Sequence, residues 1–209
     1  MLDKTFWADI YSQLSEFFKE PTQEFAGDIA SGRLHDYFKE IFSSLGHEPS
    51  LIAGLSISGD VYAILKEEYK RLFAGPLPPY IVPVESVYKK WTNDPECKLP
   101  IAGEKGYLMG DPAIDMIKRY QTDGIVIPEK YSSMPDHITL ELEYMSFLFI
   151  DGGINEQKEF LTSHLDWVGK LAKDIEVFME NKGFYSAVAE ITVLIVSHRI
   201  KHIESAIQR

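Results

Sequence analysis

Cysteine is almost missing from this chain of 209 residues, with Cys97 standing alone. A single thiol closes no intrachain disulfide and builds no multi-cysteine metal cage, so the fold has to rest on its core. Basic residues are also scarce: 21 Lys and Arg against 32 Asp and Glu leave a formal net charge of −11 and a pI near 5.0. Nucleic-acid binding needs clustered cations that neutralise phosphates, and this balance argues against it while favouring a basic ligand. No stretch approaches the roughly 18 apolar residues of a membrane helix. The opening Met1-Leu2-Asp3-Lys4-Thr5-Phe6 has no basic region followed by an apolar run, so the chain is expected in the cytoplasm without stable membrane insertion. Walker-type glycine loops, dinucleotide fingerprints, GxSxG elbows and HExxH pairs are all lacking, which predicts a protein that is not an enzyme and carries no cofactor.

What remains is an ordinary globular composition, 45% hydrophobic and 25% charged, long enough for one well-buried core. Apolar residues recur at helical spacing. Phe6, Ile10, Leu14 and Phe17 make a first stripe that stops before Pro21, and Leu34, Phe38, Ile41 and Leu45 a second that ends at Gly46. Asp60 is a fitting N-cap for a helix lined by Val61, Leu65, Tyr69, Leu72 and Phe73, which Gly75-Pro76 terminates. A proline-rich connector runs from Pro76 through Pro78 and Pro79 to Pro83. Asp111-Pro112 reads as an N-cap and first-turn pair for a short helix that ends at Gly124. Pro135 suits the first turn of the next, which would place Asp136 and His137 in that turn and carry a stripe from Ile138 to Phe149. The stripe from Leu161 to Met179 is the most regular in the chain, and a last one runs from Phe184 to Ile203. Strand-like runs are confined to Leu51–Ile57 and Gly124–Pro128, and an irregular loop covers about 92–110. The expectation is an all-α, single-domain helical bundle over residues 1–209.

Few residues stand out as chemistry. His198 and His202 have the spacing of a two-histidine metal site, but with Arg199 and Lys201 alongside and no acidic residue three before either histidine they read as exposed or core-edge residues. Glu141 and Glu143 cannot face one way along a helix, which weakens any acid–base pair. Asp136 and His137 are the sharper signal, since a carboxylate beside a neutral imidazole at a helix start can accept from an arginine and donate to a peptide amide. The same pair leaves open a small-ligand or nucleotide-binding protein or enzyme that uses it for acid–base work.

Two segments about fifty residues apart carry a resemblance. Tyr69-Lys70-Arg71-Leu72-Phe73-Ala74-Gly75-Pro76, followed by Pro83-Val84-Glu85-Ser86-Val87-Tyr88, matches the pattern aromatic-x-x-Leu-Phe-x-Gly-Pro, a proline-rich loop and Ser-Val-aromatic. Ser133-Met134-Pro135-Asp136-His137 keeps the Asp-His of a Glu-Pro-x-Asp-His pattern, with the proline displaced by one. Further on, Phe160-Leu161-Thr162-Ser163-His164-Leu165 and Phe184-Tyr185 fit helices of the same group, with His164 placed to cap or bridge its neighbours. Together these resemble the TorD/DmsD/NarJ family of redox-enzyme maturation chaperones. The resemblance implies an all-helical cytoplasmic protein that binds the signal peptide or N-terminal region of a molybdenum or tungsten oxidoreductase subunit. It implies a peptide site made by Tyr69, Leu72, Phe73, Pro83, Ser86, Tyr88, Asp136, His137 and Glu141, no metal, and a molybdopterin oxidoreductase catalytic subunit or its twin-arginine signal peptide as partner. Glu85 joins Asp136 and Glu141 as expected carboxylates for the arginines. A monomer or a domain-swapped dimer is compatible with long connectors between helices.

Overall fold

The computed structural model describes residues 4–75, 79–179 and 183–207. Pro76 and Pro78, expected to stop a helix and stiffen the connector after it, lie outside the described residues, as do the first three residues of the chain. The described residues form ten α-helices and two short 3-10 segments, with no strand among them, so the all-α expectation holds. The helices group into two compact units, each built from two stretches of chain.

Unit 1 comprises the chain up to Phe18 together with Val82–Trp167. It contains α1 (Lys4–Phe17), α5 (Glu85–Tyr88), α6 (Asp111–Thr122), α7 (Ile138–Ile150) and α8 (Ile154–Ser163). Helix α1 buries Trp7, Ile10, Tyr11, Leu14 and Phe17 on one face. That face packs on α7, where the Phe149 ring lies 6.0 Å from Trp7 and 5.2 Å from Tyr11, and Ser146 Oγ donates to the Ala8 carbonyl at 2.7 Å. Helix α7 has buried residues on nearly every side, as a helix enclosed by its neighbours must.

Unit 2 comprises Lys19–Ile81 and Val168–Arg209. It holds α2 (Gln23–Ala30), α3 (Arg33–Leu45), α4 (Val61–Phe73), α9 (Val168–Phe178) and α10 (Phe184–Ile207), with a 3-10 turn over Pro49–Leu55. Its core includes the fully buried Phe38, Phe42, Ile52, Leu65, Tyr185 and Ile191. Asp60 caps α4 as expected, its Oδ1 accepting from Ala63 N at 3.1 Å.

Several boundaries depart from the pattern reading. Helix α2 escapes it, although Thr22 caps Phe25 N and Phe25, Ala26 and Ile29 hold a helical spacing. Leu51–Ile57 is mostly 3-10 turn, and Gly124–Pro128 has no regular structure. The N-cap of α6 is Gly110, with Asp111 and Pro112 inside its first turn; the Asp111 carboxylate instead accepts from Thr92 Oγ1 and Asn93 N, at 2.9 and 2.8 Å, and ties down the irregular loop. The cap of α7 is His137, so Pro135 and Asp136 precede the helix. The stripe from Leu161 to Met179 is two helices, α8 and α9, because residues 164–167 turn away to place His164 and Trp167 in the interior of unit 1.

Candidate functional site

In unit 1 the two motif segments are bonded to each other. Val84 and His137 form an isolated antiparallel bridge, in which Glu85 N donates to Asp136 O and Ile138 N to Pro83 O, each at 3.0 Å. Ser86 lies in the first turn of α5, where backbone N–H groups have no intrahelical partner. Asp136 supplies the acceptor: its Oδ2 takes the Ser86 N–H at 2.7 Å and the Ser86 hydroxyl as well. Gly110 N donates to the same hydroxyl oxygen at 3.3 Å, which anchors the end of the long loop. Asp136 is therefore a cap delivered from fifty residues away. Burial pushes its carboxyl pKa up, and the Ser86 bonds oppose that shift.

His137 serves a second helix start. Its Nδ1 accepts from Thr139 N at 3.2 Å, and its ring lies 4.9 Å from that of Tyr131. Burial, then the Lys130 charge, lowers its pKa to about 4, so the ring is neutral as expected. Asp136 faces Ser86 while His137 faces Thr139, so the pair does not converge on a common substrate position.

Behind this frame runs a ladder of alternating charges. His164, the C-cap of α8, has Nδ1 2.8 Å from Glu85 Oε2 and Nε2 2.8 Å from Asp115 Oδ2. A carboxylate at each ring nitrogen requires a proton on both. Burial works against that charge, and the Glu85 and Asp115 carboxylates outweigh it, raising the His164 pKa. Lys89 Nζ lies 2.6 Å from Glu85 Oε1 and 2.6 Å from Asp166 Oδ1, and donates to the Ser163 carbonyl. Arg119 binds Asp115 at 2.7 Å and Glu159 at 2.9 Å. For Glu85, burial alone would raise the pKa, but His164 more than reverses it and holds the carboxyl below its usual range.

Glu141 completes the ladder from α7. It is fully buried and accepts from Trp167 Nε1 at 2.9 Å, with the Glu85 carboxylate nearby. Burial, then the Glu85 charge, pushes its pKa well above the usual carboxylate range, which favours the neutral form of Glu141. Trp167 in turn lies 4.9 Å from the Tyr88 ring. Glu85, Glu141 and His164 offer ligand atoms within 4.8 Å of one another, the closest approach to a metal-binding set among the described residues. His164 and Lys89 already pair with Glu85 in this set, while Glu141 Oε1 has no hydrogen-bond partner.

Of the residues expected to make a peptide site, the structure gathers Pro83, Ser86, Tyr88, Asp136, His137 and Glu141 in unit 1, all of them buried. Asp136, Glu85 and Glu141, read from sequence as carboxylates for arginine, are each 0% exposed and bonded internally. Tyr69, Leu72 and Phe73 belong to α4 of unit 2. Leu72 is buried, while Tyr69 and Phe73 are partly exposed, 5.3 Å apart and both against Tyr185 at 6.0 and 5.5 Å. His198 of unit 2 meets His47 Nε2 at 3.0 Å rather than sharing a ligand with His202. Sequence reasoning did not anticipate Lys89, Asp115, Arg119 or the polar role of Trp167. The pairs Glu85/Lys89 and Asp115/Arg119, each four residues apart on a helix, were the available signal.

A family model described as nitrate reductase delta subunit matches residues 53–173, more than half of the chain. The match takes in both motif segments, the capping pair Ser86 and Asp136, and every rung of the ladder from Glu85 to Trp167. The chain therefore belongs to the nitrate reductase delta subunit family of redox-enzyme maturation chaperones.

Proposed function

We propose that this protein acts in the cytoplasm on the catalytic subunit of a molybdenum or tungsten oxidoreductase, binding its N-terminal segment or twin-arginine signal peptide and holding it until cofactor is inserted. Family membership over a stretch that contains both motif segments carries this reading. A leader of that kind joins two guanidinium charges to an apolar run, and a receptor for it needs negative charge near an apolar edge. The net charge of −11 supplies the first requirement. Tyr69 and Phe73, whose rings are partly open and backed by Tyr185, supply the second. Ser86, Asp136, His137 and Glu141 support recognition as positioning residues, since they fix the starts of α5 and α7 from within unit 1.

The test is capture from cells that produce the client. The tagged protein is expected to recover a molybdenum or tungsten oxidoreductase subunit in its cofactor-free form, identified by mass spectrometry. Tyr69→Ala combined with Phe73→Ala is expected to cut that recovery roughly tenfold, as removal of aromatic anchors does at an interface. Recovery of no such subunit, or of the loaded enzyme alone, overturns the proposal.

A further inference from the structure

Two imidazoles meet in unit 2. His47 Nε2 lies 3.0 Å from His198 Nδ1, with the ring centroids 5.1 Å apart and the planes at 74°. One of the two nitrogens donates to the lone pair of the other, so a single proton stands between two atoms that both bind metal ions when bare. Neither the client-binding reading nor the charge ladder of unit 1 makes use of this contact.

The backbone sets where each ring stands. Gly46, at φ +72°, ends α3 in the left-handed conformation. Gly46 N donates to Ser43 O at 3.2 Å and His47 N to Phe42 O at 2.9 Å, the paired bonds of a Schellman motif. The Phe42 ring lies 6.1 Å from the His47 ring. His198 stands well inside the 24-residue α10, between Ile195 and Ile203, which are both 0% exposed. Donors mounted on a helix and on a closed helix end hold their spacing better than donors on a loop.

That spacing suits a cation. Two imidazole nitrogens bound at about 2.0–2.1 Å to a tetrahedral zinc ion stand about 3.3 Å apart, with ring centroids at about 5.2 Å. The centroids are already 5.1 Å apart, so the rings need to pivot rather than separate. The proton of the contact moves to the far nitrogen of the ring that carried it, which leaves both facing nitrogens bare for ligation. Burial, then the charges of His47, His202, Lys201 and Arg199, lower the His198 pKa and favour the neutral ring. His202 has its Nδ1 3.3 Å from Arg199 Nη1. No third His, Cys, Asp or Glu among the described residues joins the pair in a group like that of Glu85, Glu141 and His164. His47 and His198 are both partly exposed, so water can complete the coordination. Imidazole donors favour zinc, copper and nickel, whereas magnesium and calcium take oxygen ligands.

We infer that His47 and His198 form a solvent-open site for a divalent cation of the zinc, copper and nickel class, which clips the end of α3 to α10. The inference is independent of the client-binding reading.

The probes are zinc and copper(II) ions, added to the full chain without a histidine tag. Electron paramagnetic resonance of the first copper equivalent is expected to show two imidazole nitrogens. A spectrum with one nitrogen, or with oxygen ligands alone, overturns the site without involving any variant. Calorimetry is expected to give one zinc equivalent that excess magnesium does not displace, and absence of zinc binding overturns the site. His47→Gln and His198→Gln retain polar side chains of similar reach. Each is expected to weaken zinc binding at least about tenfold, the loss that follows removal of even an outer partner of a ligand, with helical circular dichroism unchanged. His202→Gln and Cys97→Ser are expected to keep the parent's affinity. Loss of binding in His202→Gln but not in His47→Gln places the ion on the helical pair instead, and loss in Cys97→Ser places it on the loop thiol; either result overturns the inference. Zinc is also expected to raise the melting temperature of the parent, and the same rise in both His47→Gln and His198→Gln overturns the clip.

Discussion

At the scale of single residues, the most consequential proton in the molecule is the one on Glu141. A carboxyl at 0% exposure beside the ionised Glu85 is stable only when neutral. The folded state keeps this proton at pH values where the unfolded chain, titrating near the ordinary value of 4.5, has released it. Stability therefore falls as pH rises from about 4.5 through the elevated folded value, because the folded state binds the extra proton. Glutamine makes the neutral form permanent. Its amide can donate to Glu85, and its oxygen can accept from Trp167 Nε1. Glu141→Gln is accordingly expected to match the parent in urea unfolding at pH 4.5 and to exceed it at pH 8, by on the order of 1 kcal/mol or more, since one pKa unit corresponds to about 1.4 kcal/mol. A variant less stable than the parent at pH 8 would refute a protonated Glu141. His137 has the opposite sense. Its lowered pKa of about 4 means that the unfolded chain binds a proton first on acidification, so its contribution is lost as pH falls from about 6.5 toward 4.

At the scale of elements, close approach of backbone decides where unit 2 tolerates change. Gly54, in the 3-10 turn over Pro49–Leu55, faces Ala187 of α10, and a methyl group placed on it would lie 2.4 Å from the Ala187 Cβ. Gly54→Ala is expected to destabilise by about 1–3 kcal/mol, the usual cost of overpacking. Ala187→Gly in the same chain should return much of that loss, and a double variant no more stable than Gly54→Ala in thermal unfolding would show that this contact is not the cause. Contacts of this kind also mark what the sequence conveys. The long helices were legible because their stripes are set by core contacts at spacings of three and four, as in Trp7, Ile10, Tyr11 and Leu14. The break between α8 and α9 was not, because Leu161, Leu165 and Val168 keep that spacing straight through the turn. What breaks the helix is the pull of Glu85 and Asp115 on His164 and of Glu141 on Trp167, and these partners are distant in sequence. Helix α5, at four residues, is too short to show a period. For the site, residue patterns picked out Ser86 and Asp136, while their bond to each other, and the burial that turns both inward, exist only in three dimensions.

At the scale of the whole molecule, the surplus of acid has to be separated into charges that are consumed and charges that are free to act. Glu85, Asp115, Glu159 and Asp166 are bound to His164, Arg119 and Lys89, so they add nothing to the attraction of a partner at short range. The acidic excess that remains acts through a field that reaches about 10 Å at 0.1 M salt and about 3 Å at 1 M. Charges that act through such a field govern encounter, and contacts made after encounter govern release. For a basic client segment, raising salt from 0.05 to 0.5 M is therefore expected to lower the association rate about tenfold. Its dissociation rate is expected to change less than threefold if, as proposed, release is set by apolar contacts such as those of Tyr69 and Phe73. Stopped-flow fluorescence with an arginine-containing client peptide gives both rates. A salt effect confined to dissociation would mean that the client's arginines are held by specific ion pairs, and would return buried carboxylates such as Asp136 to consideration as direct contacts reached by opening of the α5 cap.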